Sequence, residues 1–234
     1  GIKIMPIYGG ATEADLASSI DVAMQHGAKV LSNSWGWVGA PSTAIEDAID
    51  AALAAGRAVI FAAGNGPDRP PWTYEVAFPG NLTDSKDIIT VGASSLTDEY
   101  KGAASSDGQF GWGSSYVGDG PDLVAPGSGS YTTDRQGSDG YDAGDYTSTF
   151  GGTSSSTPKV AGIAALMLSV NPNLTPAQIK SILRETADDI DEPGEDDKTG
   201  TGRVNAYQAV LLAKQMVVAG GDGLMPAVKM LLLD

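Results

Sequence analysis

Apolar positions along this chain fall into two alternating rhythms. Near-continuous runs at residues 2–8, 29–34, 58–63 (Ala-Val-Ile-Phe-Ala-Ala) and 88–93 predict buried strands. Between them the apolar residues are spaced as on one face of a helix. Residues 12–26 carry Leu16, Ile20 and Ala23 at that spacing, with Thr12 placed to cap the start and Gly27 to stop the helix. Residues 42–55 form a second such segment, with acidic residues near its start and Gly56 at its end. Strand–helix alternation implies right-handed crossovers and a parallel sheet with helices on both faces, so the predicted fold class is α/β. In such sheets ligands bind beyond the carboxyl ends of the strands, and each predicted strand here runs into a loop rich in Gly, Ser or Asn.

Residues 94–150 break the rhythm. They are dense in Gly, Ser, Asp and Tyr, which predicts loops and hairpins laid over one side of the core. A long helix follows over 154–170. Its Ala161, Gly162, Ala164 and Ala165 are small, so it passes close to other backbones, and Asn171-Pro172 ends it. Thr175 and Pro176 open another helix as N-cap and first helical residue, running to about Ala187. An acidic loop spans 188–198, a connector 202–205 and a last helix 206–218. Residues 220–223 read as a hinge and 224–234 as an apolar tail able to dock. With no internal repeat and no linker, residues 1–234 read as one domain, with 211–234 as its C-terminal tail.

Composition narrows the function classes. At 41% hydrophobic and 18% charged residues, the 234-residue chain can bury a substantial core. A formal net charge of -15 repels nucleic acid and anionic membranes. No apolar run approaches the ~20 residues of a bilayer span. The absence of cysteine excludes disulfides, thiolate metal sites and cysteine nucleophiles. Because residues 2–8 already read as a buried strand with no lead-in, the chain is expected to be part of a longer polypeptide.

Three segments carry candidate chemistry. Gly152-Thr153-Ser154-Ser155-Ser156-Thr157-Pro158 leads straight into the long helix. Ser154 there stands where a turn becomes a helix, near unpaired N–H groups that would stabilise a developing oxyanion. The same run also suits a plain helix cap. Asn65, in Ala62-Ala63-Gly64-Asn65-Gly66, follows a buried strand and offers an amide to an oxyanion, or simply makes an Asn-Gly turn. Leu31-Ser32-Asn33-Ser34-Trp35-Gly36-Trp37 also lies at a strand end. It can hold an extended peptide by strand pairing, or its tryptophans can cover the edge of the core. His26 is the only histidine, late in its helix, where its charge would suit the C-terminal dipole.

Together these segments resemble the subtilisin-like serine proteases, the subtilases. Gly152-Thr153-Ser154, with Pro158 four positions after the serine, is similar to the nucleophile motif of that family. Ala63-Gly64-Asn65 is similar to its oxyanion segment, and Asn33-Ser34-Trp35-Gly36 to the strand that lines its substrate groove. Leu123-Val124-Ala125-Pro126-Gly127, the helix from Thr175, and Gly202-Arg203-Val204-Asn205-Ala206 extend the likeness to about Val210.

The resemblance implies a subtilisin-like fold lacking its N-terminal portion and a secreted serine endopeptidase, a hydrolase that cuts peptide or protein substrates. Ser154 and Asn65 are the implied catalytic residues; Ser34, Trp35, Gly36, Ala62, Ala63, Gly64 and Ala77 line the implied substrate pocket. With no acidic residue aligned at the pocket floor, a large apolar residue is expected before the cut, although Asp68 and Glu75 stand near in sequence. The family's aspartate and histidine precede the serine, in a part that this sequence does not contain. The chain alone is therefore expected to be inactive, with an N-terminal fragment as its partner chain. No cofactor is required. The family commonly uses structural calcium, and the acidic loops 134–145 and 188–197 offer oxygens without a fixed ligand spacing, so no metal ligand is assigned. A cis Phe78-Pro79 bond is also implied. The alternative is a non-catalytic subtilase-like module for binding or assembly. An unrelated esterase would need a Gly-x-Ser-x-Gly elbow, which the Ser154 region lacks.

Overall fold

The computed structural model describes residues 1–66 and 74–218. Its central sheet is parallel, with strands in the order β1 (Val30–Asn33), β2 (Ala58–Ala62), β4 (Ile89–Ser94) and β6 (Leu123–Pro126). Helices α1 (Glu13–Gln25) and α2 (Thr43–Ala54) cover one face. Helices α3 (Thr153–Val170), α4 (Pro176–Glu185) and α5 (Ala206–Val218) cover the other. Strand β2 shows why its sequence is apolar throughout. Val59 and Phe61 enter the core under α1 and α2, while Ala58 and Ile60 enter the core under α3 to α5. A strand buried on both faces has no solvent side on which to place polar residues.

The helix signals act as the sequence suggests. Thr12 and Asp15 form a reciprocal capping box on α1, and Thr175 and Gln178 form one on α4 with Pro176 in the first turn. Each cap satisfies backbone donors that the helix itself leaves unpaired and is worth about 1 kcal/mol. Between β4 and α3 lie two small antiparallel pairs. One joins β3 (Asn65–Gly66) to β5 (Gly113–Ser114), the other β7 (Ser130–Thr133) to β8 (Tyr146–Phe150).

Two expectations need correction. Residues 123–126, within the stretch read as loops and hairpins, form the fourth strand of the main sheet. A four-residue strand that ends in Pro126, directly before Gly127, is too short a run to stand out by periodicity. Residues 2–8 form no strand: Ile4 is 91% and Tyr8 90% exposed, and only Ile7 packs against the core beneath α1 and α2. An apolar run becomes a strand only when a neighbour completes its ladder, and among the described residues none does. The hinge at 220–223, the tail at 224–234 and Asp68 lie outside the described residues. Among the described residues no helix is long and apolar enough to cross a membrane.

Candidate active site

The start of α3 sits over the carboxyl ends of the strands, as expected for a parallel sheet. At the end of β6, Ser156 Oγ donates to Ala125 O at 2.8 Å, and just beyond it Gly152 N donates to Gly127 O at 2.9 Å. Beyond β2, Thr153 N donates to Asn65 Oδ1 at 2.8 Å, and Thr153 Oγ1 to the same oxygen at 3.1 Å. Beyond β1, Ser34 Oγ donates to Ser154 O at 3.1 Å. This last bond follows from the proline. In a regular helix the Ser154 carbonyl would accept from the N–H of residue 158, but Pro158 has none. The orphaned carbonyl is taken up by Ser34, which ties the end of β1 to the candidate nucleophile.

Burial separates the three consecutive serines. Ser155 is 3% exposed and Ser156 fully buried. The Ser155 hydroxyl lies 2.6 Å from Ser130 Oγ and accepts from Lys159 Nζ at 3.2 Å. Lys159 also donates to Pro126 O at 2.6 Å, and burial pushes its ammonium below the ordinary lysine range. Ser154 alone is half-exposed, and among the described residues its hydroxyl has no hydrogen-bond partner. Gly152 precedes it at φ +99°, a conformation that side chains disfavour, and a Cβ there would stand 3.1 Å from Asn65 Nδ2. With Oδ1 engaged by both donors of Thr153, the Asn65 amide is fixed with Nδ2 next to Gly152, and among the described residues Nδ2 has no hydrogen-bond partner. An N–H in the first turn of α3 is a second such donor. Thr153 was not singled out in the sequence, although it lies between the two residues that draw attention to the motif.

The other predicted residues divide into those at the groove and those behind it. A Cβ on Gly36 would stand 3.1 Å from Ala77 Cβ, and one on Gly64 would stand 3.4 Å from it. Ala77 thus lies between the strand ends that carry Ser34 and Asn65. Residues 37 and 78 hold this together with reciprocal backbone bonds, and Phe78-Pro79 is cis. Ala62 and Ala63 are buried, and Ala63 contributes backbone, accepting from Ala77 N at 2.8 Å. Trp35 packs edge-on against Phe61 at 5.2 Å, and Trp37 lies 5.0 Å from Phe78, so both rings cover the core. Ser115, also unsignalled in the sequence, backs Gly64 by donating its N–H to Gly64 O at 2.9 Å.

No general base reaches Ser154 from the described residues. His26 caps the C-terminus of α1, exposed, with Nδ1 2.9 Å from Val22 O. The acidic loops are committed elsewhere. Asp134 accepts from the N–H groups of Asp142 and, more weakly, Arg135, which hold its carboxyl below the ordinary range. Asp188 accepts from Asn205 and Arg203, and Asp189 and Asp196 accept from loop N–H groups. Among the described residues no three metal-ligating side chains gather around a point where a cation would sit.

Comparison with known proteins gives a consistent picture. Residues 1–202 match the model of the subtilase family. A protein from Nostoc sp. named calcium-dependent protease is 36% identical over 254 residues, covering 91% of this chain and 36% of that protein. Subtilisin DY from Bacillus licheniformis is 34% identical over 210 residues, covering 89% of this chain and 66% of it. Among solved structures, a protease from Pseudoalteromonas arctica superposes with a TM-score of 0.70 at 29% identity, covering 87% of this chain and 60% of that one. The chain therefore spans about a third of the length of the Nostoc relative.

Proposed function

Since this chain belongs to the subtilase family, we propose that it carries the nucleophile-bearing part of a secreted serine endopeptidase. The observation that carries this reading is the division of labour at the start of α3. Ser155 and Ser156 are buried and engaged, while Ser154 is only half-buried, beside an asparagine whose amide is fixed by Thr153. In the reaction, Ser154 Oγ attacks a peptide carbonyl. Asn65 Nδ2 and the Ser154 N–H hold the oxyanion, and the amine leaves. Water then hydrolyses the acyl-enzyme. A histidine oriented by an aspartate takes the serine proton and returns it to the leaving amine, and both come from chain outside these 234 residues, since His26 lies at the wrong end of α1. Supporting such an addition, the outer edge of β1 carries no ladder among the described residues.

The pocket before the scissile bond has small walls in Gly36, Gly64 and Ala77, and Glu75, two residues before Ala77 in sequence, is exposed. We assign it a large apolar side chain. No step uses calcium. The second reading, a binding module with the triad lost, is favoured by the absence of a nearby histidine. It leaves unexplained why Ser154 and the Asn65 geometry are both intact.

The test is a fluorophosphonate probe applied to the complete protein. Ser154 is expected to be labelled, and Ser154→Ala to abolish labelling and lower turnover by about 10⁴–10⁶-fold. Asn65→Ala should lower kcat by about 10²–10³-fold. An unlabelled Ser154 in the complete protein would leave only the binding module.

A further inference from the structure

A buried ion pair lies outside the groove, in residues 101–112, and the chemistry proposed above does not use it. Lys101 and Asp107 both have side chains with 0% exposure, 3.6 Å apart. The Lys101 ammonium donates to Gly102 O at 2.8 Å, Gln109 O at 2.8 Å and Trp112 O at 3.1 Å, and lies 4.6 Å from the centre of the Trp112 ring. It occupies an oxygen cage much as a bound cation would. Burial pushes its pKa down while the Asp107 carboxylate pulls it up. A buried ion pair is weak evidence for stability, because desolvation offsets its attraction; its better-attested use is to select one arrangement of the surrounding chain.

The arrangement selected here touches both halves of the proposed site. At the end of the loop, Ser114 N donates to Lys101 O at 2.8 Å, and β5 pairs with β3, the strand of Asn65. Asp107 accepts from Ser128 Oγ, beside Gly127, whose carbonyl holds Gly152 N. Gln109 Nε2 donates to Thr149 O at 2.7 Å, and its Oε1 lies so close to Gly151 that a Cβ there would overlap it. One loop, organised around one ammonium, thus reaches the oxyanion asparagine on one side and the approach to Ser154 on the other.

We propose that Lys101 is a positioning residue, whose ammonium, caged by Asp107 and three carbonyls, sets Asn65 and Ser154 in register through residues 102–112. The inference rests on the peptidase reading for its catalytic consequence. A displacement on the scale of an ångström between nucleophile and oxyanion donor costs up to about 10²-fold in rate. Lys101→Met keeps the length of the side chain and removes the ammonium. In the complete protein it should lower kcat by about 10- to 100-fold while KM stays within about twofold. Gln109→Ala cuts only the tether to Thr149 and should lower kcat by a smaller factor with KM again unchanged.

Amide exchange reads the same proposal without turnover. The N–H groups of Ser115 and Thr153 should exchange faster in Lys101→Met, and that of Thr153 alone in Gln109→Ala, while that of Ala63, bonded to Val91 O at 2.9 Å, should not change. If Lys101→Met does not fold, Asp107→Asn, which removes the carboxylate from the cage and keeps the three carbonyls, decides by the same readouts. Unchanged exchange at Ser115 and Thr153 overturns the proposal, as does an unchanged kcat in a wild-type background that labels at Ser154. Absence of labelling in the wild type sinks the peptidase reading instead, and the exchange measurement then decides the positioning role alone.

Discussion

The two edges of the parallel sheet are finished differently. At β6 the outer edge is closed: Val124 N donates to Gly202 O and Val204 N to Val124 O, both at 2.9 Å, and Arg203 bridges back to Asp188. Beneath that edge, Asp122 is 1% exposed and gathers Thr83 Oγ1, Thr90 N, Lys180 and Arg184. At β1 the outer edge carries no ladder among the described residues, and the apolar segment 2–8, beside α1, lies mostly exposed. The helix that presents Ser154 lies across all four strands, and Ser34 at the end of β1 holds the Ser154 carbonyl, so it rests partly on the uncompleted edge. Under the proposed function, the missing base arrives at the uncompleted side.

The largest test of this contrast is Asp122→Ala. It leaves Lys180 and Arg184 without their shared buried carboxylate, and breaking such a cluster by removing one partner costs about 3–5 kcal/mol. The urea midpoint should fall accordingly. Because Asp122 lies before β6, at the end of the sheet away from Ser154, the folded fraction should keep its labelling rate. A small change in midpoint would mean that the β6 side is less firmly closed than its contacts suggest.

Strand β1 offers the next test. Ala58 N donates to Lys29 O, so the backbone of residues 29, 31 and 33 faces β2, while that of Val30 and Ser32 faces outward. Proline is tolerated at such an outward position of an edge strand. Ser32→Pro should change the urea midpoint little, yet in the complete protein lower turnover at least about tenfold, equivalent to 1.4 kcal/mol of barrier, by blocking an incoming strand. Full turnover in this variant would show that nothing pairs with β1, and the difference between the edges would reduce to one of solvent exposure.

Much of this was legible in the sequence where local signals and tertiary demands agree. The caps at Thr12 and Thr175 report satisfied backbone donors, and the unbroken apolar run at 58–63 reports burial on two faces. The nucleophile segment was legible because Gly152 and Pro158 each have a backbone reason to stand where they do. Strand β6 was hidden by its shortness, and segment 2–8 misled because apolar pattern records what a strand would bury and says nothing about its ladder partner. Lys101 and Asp107 gave no signal at all. They stand in a Gly- and Ser-rich stretch where charged residues are normally solvated, and only the tertiary structure brings three carbonyls around the ammonium.

A smaller effect separates the helix layers. Thr12→Ala and Thr175→Ala each remove the side-chain half of a capping box worth about 1 kcal/mol. Helix α4 buries Ile179, Ile182 and Leu183 beneath the closed side, so its loss should appear in full in the global urea midpoint. Helix α1 buries Ala17, Ile20 and Ala23 and lies beside the exposed segment 2–8. Its loss should appear mainly as faster local amide exchange within Glu13–Gln25, with a smaller shift in midpoint. Equal shifts in both variants would mean that the two sides unfold as one unit.

The smallest effect is a pH dependence confined to the closed edge. The hydrogen bond from Asn205, followed by the Arg203 guanidinium, holds the Asp188 carboxyl below the ordinary aspartate range. A carboxyl depressed in the folded state contributes stability above its unfolded pKa of about 3.9 and loses it as pH falls through the folded value. The Asp188–Arg203 ladder should therefore weaken below about pH 4, and Asp188→Asn should flatten that acid limb while leaving the β1 side unchanged. At 42% side-chain exposure, solvent screening keeps the contribution below about 1 kcal/mol. Urea midpoints measured from pH 6 down to pH 3 for both proteins provide the check. An acid limb as steep in Asp188→Asn as in the wild type would assign the acid sensitivity to other carboxylates.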